Sequence, residues 1–361
     1  MIPRYLVWAA LLIAGVSADA AGLEKGTPDI KSAGPLAFGP DGILFVGDPV
    51  GGAIFAIDTG DRTPEPIGAG FYRKEIDKEV EVLLGAEPHW FGKFNDLAIN
   101  PASGKAYLSL DQGKVRESIP AVVRVDRLGK VEVVSLRDVF FAKASLPSPF
   151  QNAYHPPGPN QDGYSVTDLA FVAGKLYVAG LSSEQLPSRI VTIPYPLPAV
   201  ADQGTSIEVF HGASGEYNTR LPIWTFTPCT IKGEPCFLAA YAQTPLVKIP
   251  IAALKPSTHL RGTTLAELGN RNNPLDTLVY RTGGQEFVLV TNTRQGLMKI
   301  SLDWLADAPP IETRLIGPAN LPYERIKQLG GLSFMEPVND DHALVLGHKP
   351  GGLDLFVIPL P

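Results

Sequence analysis

Leu36-Ala37-Phe38, Gly39-Pro40-Asp41-Gly42, Ile43 to Gly47, Gly51-Gly52 and Ala53-Ile54-Phe55-Ala56-Ile57-Asp58 follow one another near the start of the chain. Apolar and β-branched runs alternate with clusters of Gly, Pro and Asp, which reads as strand, tight turn, strand, tight turn, strand. The same order returns at Leu97-Ala98-Ile99 with Ala106-Tyr107-Leu108 and Val122-Val123-Arg124-Val125, and at Leu169-Ala170-Phe171 with Leu176-Tyr177-Val178 and Ile190-Val191-Thr192-Ile193. Further copies begin at Cys229-Thr230-Ile231, Leu278-Val279-Tyr280 and Leu332-Ser333-Phe334. A sandwich or an up-and-down barrel shares the short-strand signal, but neither explains a three-to-four-strand unit returning every roughly 50 to 70 residues. The expected fold is all-β, a six-bladed β-propeller.

Fourth, outer strands are expected at Val131 to Leu136, Ile207 to Phe210, Leu265 to Leu268 and Ile311 to Leu315. The sixth copy lacks one, because the chain ends at Pro361 after its third strand. Pro28 to Ala33 has no blade of its own, so the reading assigns this N-terminal segment to the last blade, closing the ring and removing two exposed edges. Lys74 to Gly85 carries apolar residues at 76, 80, 83 and 84, the spacing of a short helix in an inter-blade insertion.

Met1 to Arg4 carry one positive charge, Tyr5 to Val16 are almost wholly apolar, and Val16-Ser17-Ala18 or Ala18-Asp19-Ala20 offers small residues for cleavage. This pattern reads as an export signal over residues 1–20, since about a dozen apolar residues fall short of the roughly twenty that span a bilayer. Residues 21–361 form the propeller domain, expected to be secreted or periplasmic, monomeric and without a membrane span. With a formal net charge of −6 and no basic cluster, the chain has no surplus to neutralise a phosphate backbone, so nucleic acid is not an expected partner. Cys229 and Cys236, an even pair in an exported chain flanking one hairpin turn, are expected to form a disulfide; metal binding by the pair is the weaker alternative.

In a blade that meanders, the turn between its second and third strands lies on the same face as the connection entering the next inner strand. The long insertions, at 63–93, 137–164, 194–226 and 303–328, sit on those connections, so this face is the one to search for function. Just before each inner strand, at the mouth of the central channel, stand Gly34-Pro35, Asn95-Asp96, Thr167-Asp168, Thr227-Pro228, Asp276-Thr277 and Gly330-Gly331. Asn95, Asp168 and Asp276 there can hold a hard divalent cation such as Ca²⁺ or Mg²⁺. The alternative is that these short polar side chains satisfy backbone donors at strand starts. Turns on this face add Asp48, Asp111, Asn292 and His348, and His348 is placed to act as ligand or base. His89, His155, His211, His259 and His342 fall in loops or outer connections.

The strand-Pro-Asp-Gly-strand unit at Leu36 to Val46 resembles the six-bladed group containing the NHL-repeat proteins, the strictosidine synthases and the senescence marker protein/gluconolactonase family. Asn95-Asp96-Leu97-Ala98-Ile99-Asn100-Pro101 is similar to the lactonases' N-G-L-A-x-x-P segment, which implies that Asn95 is a metal ligand. The lactonases' E-G-P, source of a ligating Glu, is matched by Ala33-Gly34-Pro35, so that ligand is absent. Their P-D-G-L is matched by Val166-Thr167-Asp168-Leu169, with the Asp one place late. The leading expectation is therefore a propeller that binds a small molecule, glycan or protein on its loop-rich face. The alternative is a divalent-metal-dependent lactonase or esterase with Asn95, Asp168 and Asp276 on the metal and His348 or Asp96 moving protons.

Overall fold

The computed structural model describes residues 22–85, 93–112, 119–150, 163–269, 272–315 and 322–361; the expected export signal, His89 and His155 lie outside them. Six sheets radiate from one axis, giving the expected six-bladed β-propeller. Their inner strands are Leu36–Phe38, Phe94–Ile99, Asp168–Val172, Ile223–Ile231, Pro274–Thr282 and Leu332–Asn339, which define blades 1 to 6 in chain order. Local chemistry sets the hairpins. In blade 4 the two-residue loop Lys232-Gly233 has φ of 52° and 78°, the left-handed pair that matches strand twist.

The blades do not follow one another around the axis in chain order. Phe45 and Ile54 of blade 1 pack against Leu169 and Val178 of blade 3, while Leu36 and Leu44 on its other side meet Ala98 and Tyr107 of blade 2. Blade 2 in turn packs Leu97 and Leu108 against Leu344 and Leu346 of blade 6. The remaining interfaces join blades 3 and 4, 4 and 5, and 5 and 6. Around the axis the order is therefore 1-3-4-5-6-2. The blade 1–blade 3 junction is close: a Cβ on Gly47 would lie 2.7 Å from Val166 Cγ1, a distance no side chain tolerates without displacement.

This order corrects the expected closure. Blade 6 takes its outer strand from Tyr72–Arg73, with Leu355 opposite Arg73 and Phe356 opposite Tyr72. The chain leaving blade 1 passes the place of blade 2, pairs with blade 6, and returns through the helix Ile76–Leu83, whose Ile76 and Val80 are buried between blades 6 and 2. Asp354 fixes that crossing by accepting from the Tyr72 hydroxyl and from the Glu75 amide at 2.9 Å. The N-terminal segment instead serves blade 1, where Glu24–Gly26 pairs with the outer strand Val139–Ser145. Residues 31–33 form no strand because their donors go to side chains: Asp48 accepts Lys31 N–H and Ser32 N–H, and Asp111 accepts Ala33 N–H and Ser32 Oγ–H.

Blade 5 carries a second correction. Its outer strand is Glu324–Ile326, and Ile311 to Leu315 is a strap whose amides bond to Thr264 O and Gly212 O outside the blade. The expected outer strands of blades 2, 3 and 4 are present at Val131–Val133, Thr205–His211 and Thr263–Glu267. Cys229 and Cys236 are cross-strand partners in blade 4, yet their Sγ atoms are 3.4 Å apart, hydrogen-bonded as free thiols rather than joined at the ~2.05 Å of a disulfide. Among the described residues no helix is long and apolar enough to cross a membrane.

Candidate functional site at the channel mouth

Four inner strands carry a β-bulge, and each falls at the same height. The register slips between Phe94 and Asp96, Ile223 and Thr225, Pro274 and Asp276, and Leu332 and Phe334. A regular strand sends successive side chains to opposite faces, whereas a bulge turns two neighbours the same way. Asn95 and Asp96, Trp224 and Thr225, Leu275 and Asp276, and Ser333 and Phe334 accordingly line one cavity of ≈ 220 Å³ at the channel mouth, with Thr167, Asp168, Lys93 and His348.

The ring order fixes who faces whom. Blade 4 is opposite blade 2, so Trp224 stands across the mouth from Asn95; blade 3 is opposite blade 6, so Thr167 faces Ser333 and Phe334. Tyr164, edge-on to Trp224 with ring centroids 6.3 Å apart, and Phe150, 6.3 Å beyond it, support the indole. His348 lies on blade 6 and Lys93 immediately precedes blade 2, so the polar groups gather on the wall facing the tryptophan.

Beneath the mouth, Asp96, Asp168 and Asp276 form a waist shared with a second cavity of ≈ 500 Å³ deeper in the channel. Each carboxylate makes the same pair of bonds. One oxygen accepts the next residue's amide: Leu97 at 2.8 Å, Leu169 at 2.7 Å, Thr277 at 2.7 Å. The other accepts an amide of the neighbouring blade: Leu36 at 2.7 Å, Phe226 at 2.8 Å, Met335 at 2.6 Å. The three aspartates thus clasp blade 2 to 1, 3 to 4 and 5 to 6, always in the same rotational sense. Both oxygens answer strand-start amides, which is the structural role open to short polar side chains at these positions.

Depth in the disc works against those bonds. Desolvation pushes Asp168 up to about 7 and Asp276 up to about 8, the latter helped by the charge of Asp168. Asp96 rises well above the ordinary carboxylate range through burial and its two acidic neighbours. Glu336, on the channel wall of blade 6, rises for the same reasons, with Asp276, Asp96 and Asp168 all adding to its burial. All four are ringed by protein while still bordering channel space, so the water they meet is confined.

The mouth therefore brings together every polar residue expected to act there: Asn95, Asp96, Asp168, Asp276 and His348. Asn95 donates its amide N–H groups to Ala33 O at 2.8 Å and Asp111 at 3.1 Å, which fixes the side chain while Oδ1 remains the atom a cation would take; the Asp oxygens accept amides, and among the described residues no three His, Cys, Asp or Glu side chains are grouped to hold a metal ion. Asp48 and Asp111 hold residues 31–33 instead, and Asn292 caps its own turn through Gly296 O and Gln295 N–H. Sequence reasoning missed Trp224, Leu275, Ser333, Phe334 and Glu336. In blade 4 it placed Thr227-Pro228 at the mouth, but the strand begins at Ile223 and those two residues line the deeper cavity.

No family model matches the chain, and no curated protein matches it. Among solved structures it is similar to a putative oxidoreductase (glucose dehydrogenase) from Thermus thermophilus, at 14% identity over 94% of this chain and 99% of that one, with a TM-score of 0.34. It is also similar to the PQQ-bound aldose sugar dehydrogenase of Streptomyces coelicolor, at 14% identity over 94% and 99%, TM-score 0.28. A family 43 glycoside hydrolase from a xyloglucan locus of Bacteroides ovatus matches at 15% identity over 76% of this chain and 54% of that one, TM-score 0.35. None of these values carries an activity across, so the chain is a six-bladed β-propeller whose chemistry must be argued from its own residues.

Proposed function

We propose that the chain is an exported binding protein that takes a small polyhydroxylated molecule, one sugar-sized ring, in the channel mouth. The observation that carries this reading is the set of bulges that turns Trp224 inward on one wall and Asn95 and Ser333 inward on the facing wall. A flat aromatic face opposite hydrogen-bonding groups suits a ligand with an apolar ring face and a polar edge. A cavity of ≈ 220 Å³ is below the ~300–1,000 Å³ of drug-sized sites, which favours a single small ring. The metal-dependent hydrolase reading is less favoured, because both oxygens of Asp168 and of Asp276 accept backbone amides and among the described residues no three His, Cys, Asp or Glu side chains are grouped to hold a metal ion.

Titrating monosaccharides while following tryptophan fluorescence and heat of binding tests the proposal. Binding that is abolished in Trp224→Ala and weakened at least tenfold in Asn95→Ala is expected, in line with about 1.5–3 kcal/mol for removing a stacked ring or a hydrogen-bonding partner. Saturable binding unaffected by either change, or none to any sugar, would reject it. Export is tested separately by the mass of the mature protein, which should lack about the first 20 residues.

A further inference from the structure

Among the described residues Arg189 is a buried cation without an ion-pair partner. It is 3% exposed, Nη2 donates to Pro147 O, and Nη1 is enclosed with no hydrogen-bond partner. Among the described residues it makes no ion pair; the charge nearest in effect is Glu184, an exposed residue in the turn joining its strand to the one before. Burial pushes the guanidinium down to about 10. Buried charges in folded proteins are ordinarily paired, since an unpaired one forfeits its hydration without return.

Arg189 also lines a cavity of ≈ 470 Å³ at the rim of blade 3, which shares no residue with the channel mouth. Glu184, exposed to solvent, also lines it; the rest of the wall is mostly neutral and polar, with Gln185, Gln203, Ser206, Ser257 and Thr258, and His259 beside them. Ser206 Oγ and His259 Nδ1 are 3.0 Å apart, and His259 Nε2 is 3.7 Å from Glu208. One guanidinium balances one negative charge. Glu208 is paired with Arg261 at 2.6 Å, but the exposed Glu184 on the rim repels any anion in proportion to its charge, so a monoanion suits the site better than a dianion.

We propose that this rim cavity is a second ligand site, for a small carboxylate monoanion whose charge is met by Arg189 and whose remaining oxygen is met by the neutral donors of the wall. The site is independent of the reading given for the channel mouth.

The probe is sodium acetate, compared with sodium chloride at matched ionic strength and with sodium phosphate, on the whole protein at pH 7. The expected result is a saturable rise in thermal midpoint and a measurable heat with acetate. Arg189→Met should weaken acetate at least tenfold and should melt higher than wild type in chloride, because it removes an unpaired charge. Gln203→Trp, at an exposed wall position, leaves the guanidinium in place and should block acetate even if Arg189→Met does not fold. Trp224→Ala should leave the acetate response intact. A response that is absent, does not saturate, or persists in Gln203→Trp or in folded Arg189→Met overturns the proposal, as does phosphate binding at least tenfold tighter than acetate.

Discussion

Replacing Asp276 by Asn sets two opposed effects against each other, and the structure gives the size of each. The carboxylate accepts Thr277 N–H at 2.7 Å and Met335 N–H at 2.6 Å. An amide has one acceptor oxygen, so one of these N–H groups must face an NH₂, and a buried donor left unsatisfied costs about 1–3 kcal/mol. Against that, Asp276 has its pKa pushed up to about 8 from an ordinary value of 3.8, so over that interval the folded protein holds a proton that the unfolded chain has released. Folding then binds protons, and stability falls as pH rises, by at most about 1.4 kcal/mol per pH unit for this acid. Channel water that screens the carboxyl makes the slope shallower. Below pH 4 the group is neutral in both states and the slope vanishes; above about 8 it is ionised in both and the loss is complete. The asparagine variant has no such slope. Urea unfolding, followed by circular dichroism at pH 4.5, 6, 7.5 and 8.5, should therefore show Asp276→Asn less stable than wild type at the acid end. At the full slope the two curves converge or cross by about pH 5–6, one to two pH units above the onset, where the relief matches the missing bond; a slope made shallower by channel water moves the crossing upward. Parallel curves across the range would refute the claim that burial keeps this carboxyl protonated.

Two further perturbations test the ring closure and the thiols. Asp354→Asn leaves one acceptor oxygen where the carboxylate meets the Tyr72 hydroxyl and the Glu75 amide with separate oxygens; hydrogen exchange should accelerate in 72–83 and 353–358 while blades 3 to 5 keep their protection, and uniform acceleration would mean that the crossing does not close the ring. Cys229→Ser should change stability by no more than about 1 kcal/mol, because it replaces a thiol–thiol hydrogen bond with a hydroxyl–thiol one; a loss of about 2 kcal/mol or more in non-reducing urea unfolding would show a disulfide in the purified protein.

The fold was legible because each blade is a local object. Turns such as Gly39-Pro40-Asp41-Gly42, where Asp41 and Gly42 adopt φ of 54° and 72°, announce themselves in a single sequence. So does the helix at Ile76–Leu83, whose two buried residues are among the four at helical spacing. The waist of the site was legible for a related reason, since Asp96, Asp168 and Asp276 fall within the first three residues of an inner strand and the beginnings of those strands meet at the axis. The bulges were not. That Trp224 and Thr225 both face inward depends on a register slip against Ala240 and Tyr241, which alternation of apolar residues in one strand does not encode. Tyr72–Arg73 is a two-residue strand with no apolar pattern, stable only because blade 6 offers it an unpaired edge.

The ring order, too, is invisible to a repeat count, because every blade presents similar apolar faces and any blade can pack on any other. The acids supply a reason for the order observed. They lie on blades 2, 3 and 5, so a ring in chain order would put Asp96 and Asp168 on adjacent blades and leave blades 6 and 1 between Asp276 and Asp96. In the order 1-3-4-5-6-2 they occupy every second position, each separated from the next by a blade that donates an amide to it. This alternation places a blade between each pair of channel-lining carboxyls and gives each a donor from its neighbour, which tempers the repulsion that raises Asp96 and Asp276. Moving an acid to an intervening blade, as in Thr225→Asp beside Asp168 and Asp276, should then cost more than an ordinary buried charge, and the cost should disappear as pH falls below 4 and all four acids become neutral.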